Sequence, residues 1–506
     1  MDTLIQGLLQ VTNLSTMLWM AFGSILGIIL GALPGLTATM GIALIMPISF
    51  HLPNTTGIGL LLAVYCGAVS GASIPAILLG IPGNPNAIAT VEDGILMTKK
   101  GKADQALGGA VVASFIGGMG SLLCLVLFAP IIAKLTLAFG PAEKTTLALV
   151  GLVIIASVSA NNVVKGLLMG AFGMTLAFLG TDPFSGHLRI PFSTHLATTP
   201  LAKGLDLTST LIGLYGISQV FFEMHKLNQT KTRVQKVSIK NVFPPLKKLA
   251  QMWKIILSST GIGTIVGAIP GTGASVAVFL ARNTAKDICD ASKGKLEPLG
   301  TGSLEGVFAP EVANNAVTGG ALIPALALGI PGDAATAVLI GALMIKGITP
   351  GFQLFQQNMT LVYAIFATLF ISNIFMAAFQ LIGIRLYPKV LGVPSQLLLP
   401  LVLVLSFIGA YAIAGQATAA GIYNMGIALV MGLIGYVLKR NDFPIAPIVL
   451  GLILGSMFEE NFRRAVKLAG GNYFTFFTKP ICLLFIGIAV FSVVFPIIIR
   501  KRKSEI

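Results

Sequence analysis

The chain has 506 residues, of which 55% are hydrophobic and only 10% charged, with a mean hydropathy of +0.89. Soluble domains carry about 25% charged residues, so the composition excludes a soluble protein and points to an integral membrane one. The formal charge of +15 is concentrated in a few connecting loops, as the positive-inside rule produces. No basic, aromatic-interleaved surface remains for nucleic acid.

Many apolar runs reach the roughly 20 residues that a spanning helix needs, and the short alternating segments of an outer-membrane barrel are missing. The expected class is an all-α polytopic membrane protein of about 11–12 transmembrane segments. Cys66, Cys124, Cys289 and Cys482 are scattered without a CxxC pair and read as small core residues. The four histidines show no ligand spacing. The N-terminus lacks the basic start and small-residue cleavage site of a signal peptide.

Residues 1 to 50 contain no Lys or Arg. A segment from about Leu14 to Leu33 runs into Pro34-Gly35 and continues as Met40 to Phe50. Ile58 to Leu79 ends in a second break, Gly80-Ile81-Pro82-Gly83-Asn84-Pro85-Asn86. The chain emerges at Lys99-Lys100-Gly101-Lys102, which the charge rule places in the cytoplasm. Leu107 to Ile132 then crosses outward, Thr145 to Ser159 inward and Val163 to Leu179 outward. The polar stretch Thr181 to Lys203 falls outside. Leu205 to Phe222 returns to the densest basic loop, Lys226 to Lys254. This divides the chain into a first half (1–225), a basic cytoplasmic linker (226–254) and a second half (255–506).

The second half opens with Ile255 to Ile269 and the break Pro270-Gly271-Thr272-Gly273. A basic loop with Arg282, Lys286, Lys293 and Lys295 follows. A fourth break, Gly329-Ile330-Pro331-Gly332-Asp333, precedes Ala334 to Met344. Later spans lie near Leu361–Ile384, Leu397–Ala414, Gly421–Leu438, Ile445–Met457 and Ile481–Ile499. With the basic tail Arg500 to Lys503 inside, parity puts Arg463, Arg464 and Lys467 outside. Either pairing with Glu459 and Glu460 or a re-entrant segment accounts for that.

The halves repeat each other: Leu33-Pro34-Gly35 matches Ile269-Pro270-Gly271, and Ile74 to Asn84 matches Ile323 to Asp333. Their flanking charges are opposite, which implies an inverted-topology repeat with broken or re-entrant Pro-Gly helices. A parallel duplication with incidental loop charges is the alternative. Broken backbone is tolerated at membrane depth only where it is buried in protein or lines a polar cavity. Half-helix N-termini suit an anionic substrate, and the freed oxygens suit Na⁺. The candidate substrate residues are Pro34, Gly35, Thr37, Asn84, Asn86, Pro270, Gly271, Thr272 and Gly273, with Thr39 and Ser275 nearby. The candidate Na⁺ ligands are Asn314, Asn315, Gly332 and Asp333. Asp333 ranks first because an ionisable group near membrane depth points to function. Glu92 and Asp93 read as flanking caps, and Lys165 as a snorkelling span end.

Gly31 to Ala38, Gly80 to Asn86, Thr181 to Gly186, Glu305 to Asn315 and Gly319 to Asp333 together resemble the large membrane subunit of tripartite tricarboxylate transporters, the TctA-type protein. The Ala-Pro-Glu-x-Ala-Asn-Asn run followed by Gly-Ile-Pro-Gly is its specific part. The stretch from Leu188 to Ser193 departs from the family's usual pattern. The resemblance implies a bacterial inner-membrane system with a periplasmic solute-binding protein, a small transmembrane subunit and a carboxylate substrate such as citrate. It implies uptake driven by a Na⁺ or H⁺ gradient and no other cofactor. The chain has no Walker-type phosphate loop. It also lacks the HExxH pattern that a membrane metalloprotease would need. A stand-alone ion-coupled transporter or channel for another organic anion is the alternative.

Overall fold

A computed structural model describes residues 2–136, 139–158, 163–189, 202, 204–226, 242–270, 272–393, 395–414 and 418–504. Among these residues there is no strand, only one isolated bridge between Thr181 and Leu188. The first half contains α1 (Asp2–Val11), α2 (Leu14–Ala32), α3 (Ala38–Phe50), α4 (Asn54–Gly71), α5 (Ser73–Leu79) and α6 (Ile88–Lys99). It continues with α7 (Ala103–Leu135), α8 (Pro141–Val158), α9 (Val163–Ala177) and α10 (Leu207–Leu211), which runs through a π-helical stretch into α11 (Ser218–Lys226). The second half begins with α12 (Leu246–Gln251) and α13 (Trp253–Ala268), so helix already starts within the expected linker. Then come α14 (Gly273–Ala291), α15 (Leu304–Leu328), α16 (Ala334–Ile345), α17 (Phe352–Gln357) and α18 (Met359–Gly383). The chain closes with α19 (Tyr387–Leu391), α20 (Ser395–Ala412), α21 (Thr418–Arg440), α22 (Ala446–Leu468), α23 (Thr475–Thr478) and α24 (Pro480–Ser504).

Small residues set the helix pairing, as expected where lipid removes the hydrophobic drive and close packing replaces it. Gly23, Gly27 and Gly31 of α2 lie against Leu60, Val64 and Ala68 of α4, in ascending order on both helices. The two helices therefore run parallel. In the second half Gly263 and Gly267 of α13 meet Ala313 and Val317 of α15 in the same register. Since α2 and α4 run the same way, α3 must carry the chain back to the face where α2 began. The α2–α3 pair is a re-entrant hairpin, where the sequence suggested a segment that continues through its break. The α13–α14 pair is its counterpart.

The hairpins enter from opposite faces. The basic face is marked by Lys100 donating to the Thr301 carbonyl and by Lys248 paired with Glu305 at 2.7 Å; it holds the ends of α6 and α14 and the start of α15. The other face holds the ends of α3 and α16, where Lys346 donates to the Leu52 carbonyl at 2.8 Å. The repeat is thus inverted. Its halves also interlock, because α7 of the first packs along α15 of the second, and α18 of the second along α4 of the first. Among the other helices, α20 and α11 back the α2–α3 hairpin, and Gly151 of α8 packs on Ile330 at the fourth break.

The structure also decides the parity question around Arg463. Arg463 pairs with Asp182 at 2.9 Å and Glu459 at 2.7 Å, and Arg189 pairs with both acids at 3.1 and 2.7 Å. The turn at 181–189 and the end of α22 therefore share the face opposite the basic one, and α22 needs no re-entrant segment. Lys479 pairs with Glu143 on that same face at 3.0 Å, and α24 returns from there. Lys165 donates to the Asn441 carbonyl at 2.8 Å and lies over the Phe443 ring, as a snorkelling side chain would.

Two predictions follow from this packing. A Cβ on Gly332 would lie 2.4 Å from the Gly267 carbonyl oxygen and 2.6 Å from the Ala321 Cα, both backbone atoms. Gly332→Ala is expected to destabilise the protein by about 1–3 kcal/mol, read as a lower melting temperature in detergent. Gly261→Ala, which meets nothing within 4 Å, should hold or raise it. The backbone N–H groups of Ser185 and Phe184, then Arg463 and Arg189, hold the Asp182 carboxyl well below the usual carboxylate range. Its stabilising effect is therefore present above the unfolded value of about 3.9 and is lost as pH falls below that, towards the depressed folded value. Protease resistance of the 181–189 turn should be flat from about pH 7 to 5 and fall only below about pH 4. Asp182→Asn should flatten that acid limb.

Candidate functional site: four helix breaks at the centre

The four breaks meet. Each pair within a half is joined through backbone: Gly35, at φ 90°, donates its N–H to the Gly83 carbonyl at 3.1 Å, and Gly83 donates to Ala72 at 3.3 Å. A Cβ on Gly83 would lie 2.5 Å from the Gly31 oxygen and 2.8 Å from the Ala72 Cα, the same contacts that Gly332 makes with Gly267 and Ala321. Only glycine permits this approach. Gly80 and Gly329 end their helices with φ 71° and 72°, the left-handed cap that glycine adopts without strain. Across the halves, Ser275 at the start of α14 donates to Asn86 at 2.8 Å, and Tyr65 of α4 donates to Asp333 at 2.8 Å. The α3 and α16 helices pack against each other.

Four helix N-termini therefore gather here, those of α3, α14, α16 and the short 3-10 turn Pro85–Ala87 that leads into α6. Three are capped by side chains. Thr37 accepts from Met40 N–H, Asn84 from the N–H groups of Asn86 and Ala87, and Asp333 from Thr336 N–H in a reciprocal capping box. The fourth, α14, has no side-chain cap, because the Thr272 hydroxyl donates back to the Val266 and Ile269 carbonyls. Gly273, at its first position, has nothing within 4 Å of where a Cβ would stand. Among the four starts, α14 is the one whose first N–H groups no side chain of the described residues caps.

The other expected residues separate. Pro34 is exposed, Pro270 half-buried and Thr39 buried, each at a hairpin tip; Gly271 lies outside the described residues. Asn315 is spent on packing α15 against α7, donating to Ser114 at 2.7 Å and to the Glu311 carbonyl at 3.1 Å. Asn314 donates to the Val69 carbonyl at 3.3 Å where α15 crosses α4. Gly332 serves the backbone contact described above. Asp333 is half-buried, with both carboxylate oxygens hydrogen-bonded.

Two carboxylates matter more than the sequence suggested. Asp93, fully buried, accepts from Gly300, Gly302 and Ser303 N–H groups at 2.9–3.0 Å and pairs with Arg282 at 3.0 Å. Arg282 also pairs with Glu92 at 2.7 Å. This network ties α6 to α14 and to the loop before α15. Glu311, also fully buried, accepts from Thr90 at 2.6 Å. Neither was detectable from spacing, since both become significant only when α6, α14 and α15 are brought together. Removing one partner of a buried ion pair leaves an uncompensated charge. Arg282→Met is therefore expected to destabilise the protein by about 3–5 kcal/mol, and Arg282→Met with Asp93→Asn by less than the single change. A double-mutant cycle on thermal stability measures the difference.

Comparisons with known proteins place the chain in a family. Residues 17–450 match the Tripartite tricarboxylate transporter TctA family. The chain is 32% identical over 490 residues to an Agrobacterium vitis protein described as an uncharacterized 52.8 kDa protein in the TAR-I ttuC' 3'region; the match covers 96% of this chain and 95% of the relative. A second A. vitis protein, from the TAR-II ttuC' 3'region, is 33% identical over 246 residues, covering 48% of this chain and 98% of the relative. No solved structure matches. With residues 17–450 matched and a relative aligned over 96% of its length, the chain belongs to the tripartite tricarboxylate transporter TctA family.

Proposed function

We propose that this protein is the large translocating subunit of a binding-protein-dependent secondary transporter that imports a di- or tricarboxylate. It works in the bacterial inner membrane with a periplasmic binding protein and a small transmembrane subunit, and a Na⁺ or H⁺ gradient drives it. Family membership supports the transport class. The observation that carries the substrate class is the gathering of four half-helix N-termini, one uncapped, where two inverted hairpins meet. Positive dipole ends and unpaired N–H groups favour an anion. The carboxylate is assigned to the α14 start at Thr272 and Gly273, with Pro270 at the same tip. Pro34, Gly35, Thr37, Asn84 and Asn86 form the opposing wall.

Uptake of a labelled carboxylate by cells carrying all three components should vanish when both gradients are collapsed and when the binding protein is left out. Uptake that survives loss of both gradients refutes the reading. The α14 assignment has its own test. Gly273 sits at φ 69° in open space, a conformation Asn and Asp tolerate best among other residues. Gly273→Asp should reduce uptake about tenfold or more relative to Gly273→Asn, because only the charge differs. Equal uptake by the two variants removes α14 from the substrate site.

A further inference from the structure

Glu311 stands about two turns into α15, one residue after Pro310, with its side chain fully buried. Oε1 accepts from the Thr90 hydroxyl, which belongs to the first turn of α6. Oε2 finds no donor among the described residues. One turn along the same helix, Asn314 is 1% exposed; its Nδ2 donates to Val69, and its Oδ1 also finds no donor. The basic side chains on neighbouring elements are committed elsewhere, Arg282 to Asp93 and Glu92 and Lys248 to Glu305. A buried carboxylate with one hydrogen bond and no cationic partner is strongly unfavourable. So is a buried amide oxygen left unpaired beside it.

We propose that Glu311, Asn314 and Thr90 form a binding site for one Na⁺-class monovalent cation between α15 and α6. The donor set is a carboxylate, an amide and a hydroxyl oxygen, the hard ligands such an ion prefers. A single negative charge balances a single positive one, whereas a divalent ion would leave a net charge buried. A proton on Oε2 could donate to Asn314 Oδ1 and satisfy the same two atoms, so it is the rival occupant; a Na⁺ ion serves both oxygens with the carboxylate ionised, and direct binding of the ion separates the two. The site differs from the Asp333 break, where both carboxylate oxygens already serve Thr336 and Tyr65. It rests on the reading of the chain as an ion-coupled transporter and supplies that reading with the residues that hold the ion.

The test is equilibrium binding of ²²Na⁺ to the purified full-length protein in lipid nanodiscs, in a potassium background and without substrate. The wild type should bind saturably. Glu311→Gln should lose saturable binding and Asn314→Ala should weaken it, while Asp333→Asn keeps wild-type affinity. Thr90→Val should weaken it about tenfold. Monodispersity of each variant reports folding, and if Glu311→Gln does not fold, Asn314→Ala decides. Wild-type affinity in a folded Glu311→Gln or Asn314→Ala protein overturns the site, as does a folded wild type that binds no ²²Na⁺. Carboxylate uptake by the complete system tests the transport reading separately, so the two failures are distinguishable.

Discussion

Broken backbone at membrane depth has to find partners within the protein, and the rest of this structure follows from how it does so. Each Pro-Gly break frees N–H and C=O groups where lipid could not solvate them. The chain answers by pressing the breaks against one another, with Gly35 bonded to Gly83 and Gly83 to Ala72. That contact requires the parallel pairing of α2 with α4 and of α13 with α15, because only then do the hairpin tips reach the level of the second breaks. The parallel pairing in turn makes each hairpin re-entrant, and the duplication makes the two hairpins enter from opposite faces. A local need for hydrogen bonds thus sets the topology of the core.

Much of this was readable from residues. The Pro-Gly motifs, their repetition and their opposite flanking charges pointed to the class and the inversion, because each depends on composition or local spacing. The α2–α3 hairpin was harder to read. An apolar segment that goes in and returns has the same composition as one that passes through, and only the ascending glycine contacts on α4 separate the two. The candidate residues show what a sequence position leaves open about use. Thr37, Asn84 and Asp333 are at the breaks, yet each is occupied as a helix cap, which is what Thr, Asn and Asp at a helix start commonly do. Asp93 and Glu311 were underrated for the converse reason. Their sequence neighbours are ordinary, and their importance comes from partners roughly 190 to 220 positions away in the chain, distances that no local pattern encodes.

Inverted repeats make the two faces alike in backbone, so the side chains must distinguish them. On the basic face, α6 and α14 are tied by Arg282 and Asp93. Counting from the matched breaks, the corresponding positions on the other face are Met46 of α3 and Ala342 of α16, which line one small cavity together. The matched positions therefore hold an ion pair with a buried carboxylate on one face and two apolar side chains lining a shared cavity on the other. Separating the first uncovers a charge whose remaining bonds come from the 300–303 loop, a step opposed by several kcal/mol. Separating the second gives up dispersion contacts, each worth a few tenths of a kcal/mol at most, and the Lys346 bond to the Leu52 carbonyl, with no buried carboxylate uncovered. The matched positions of the inverted repeat thus differ by a few side chains, and Arg282, about two turns from Ser275 and its bond to Asn86, links that difference to the central breaks.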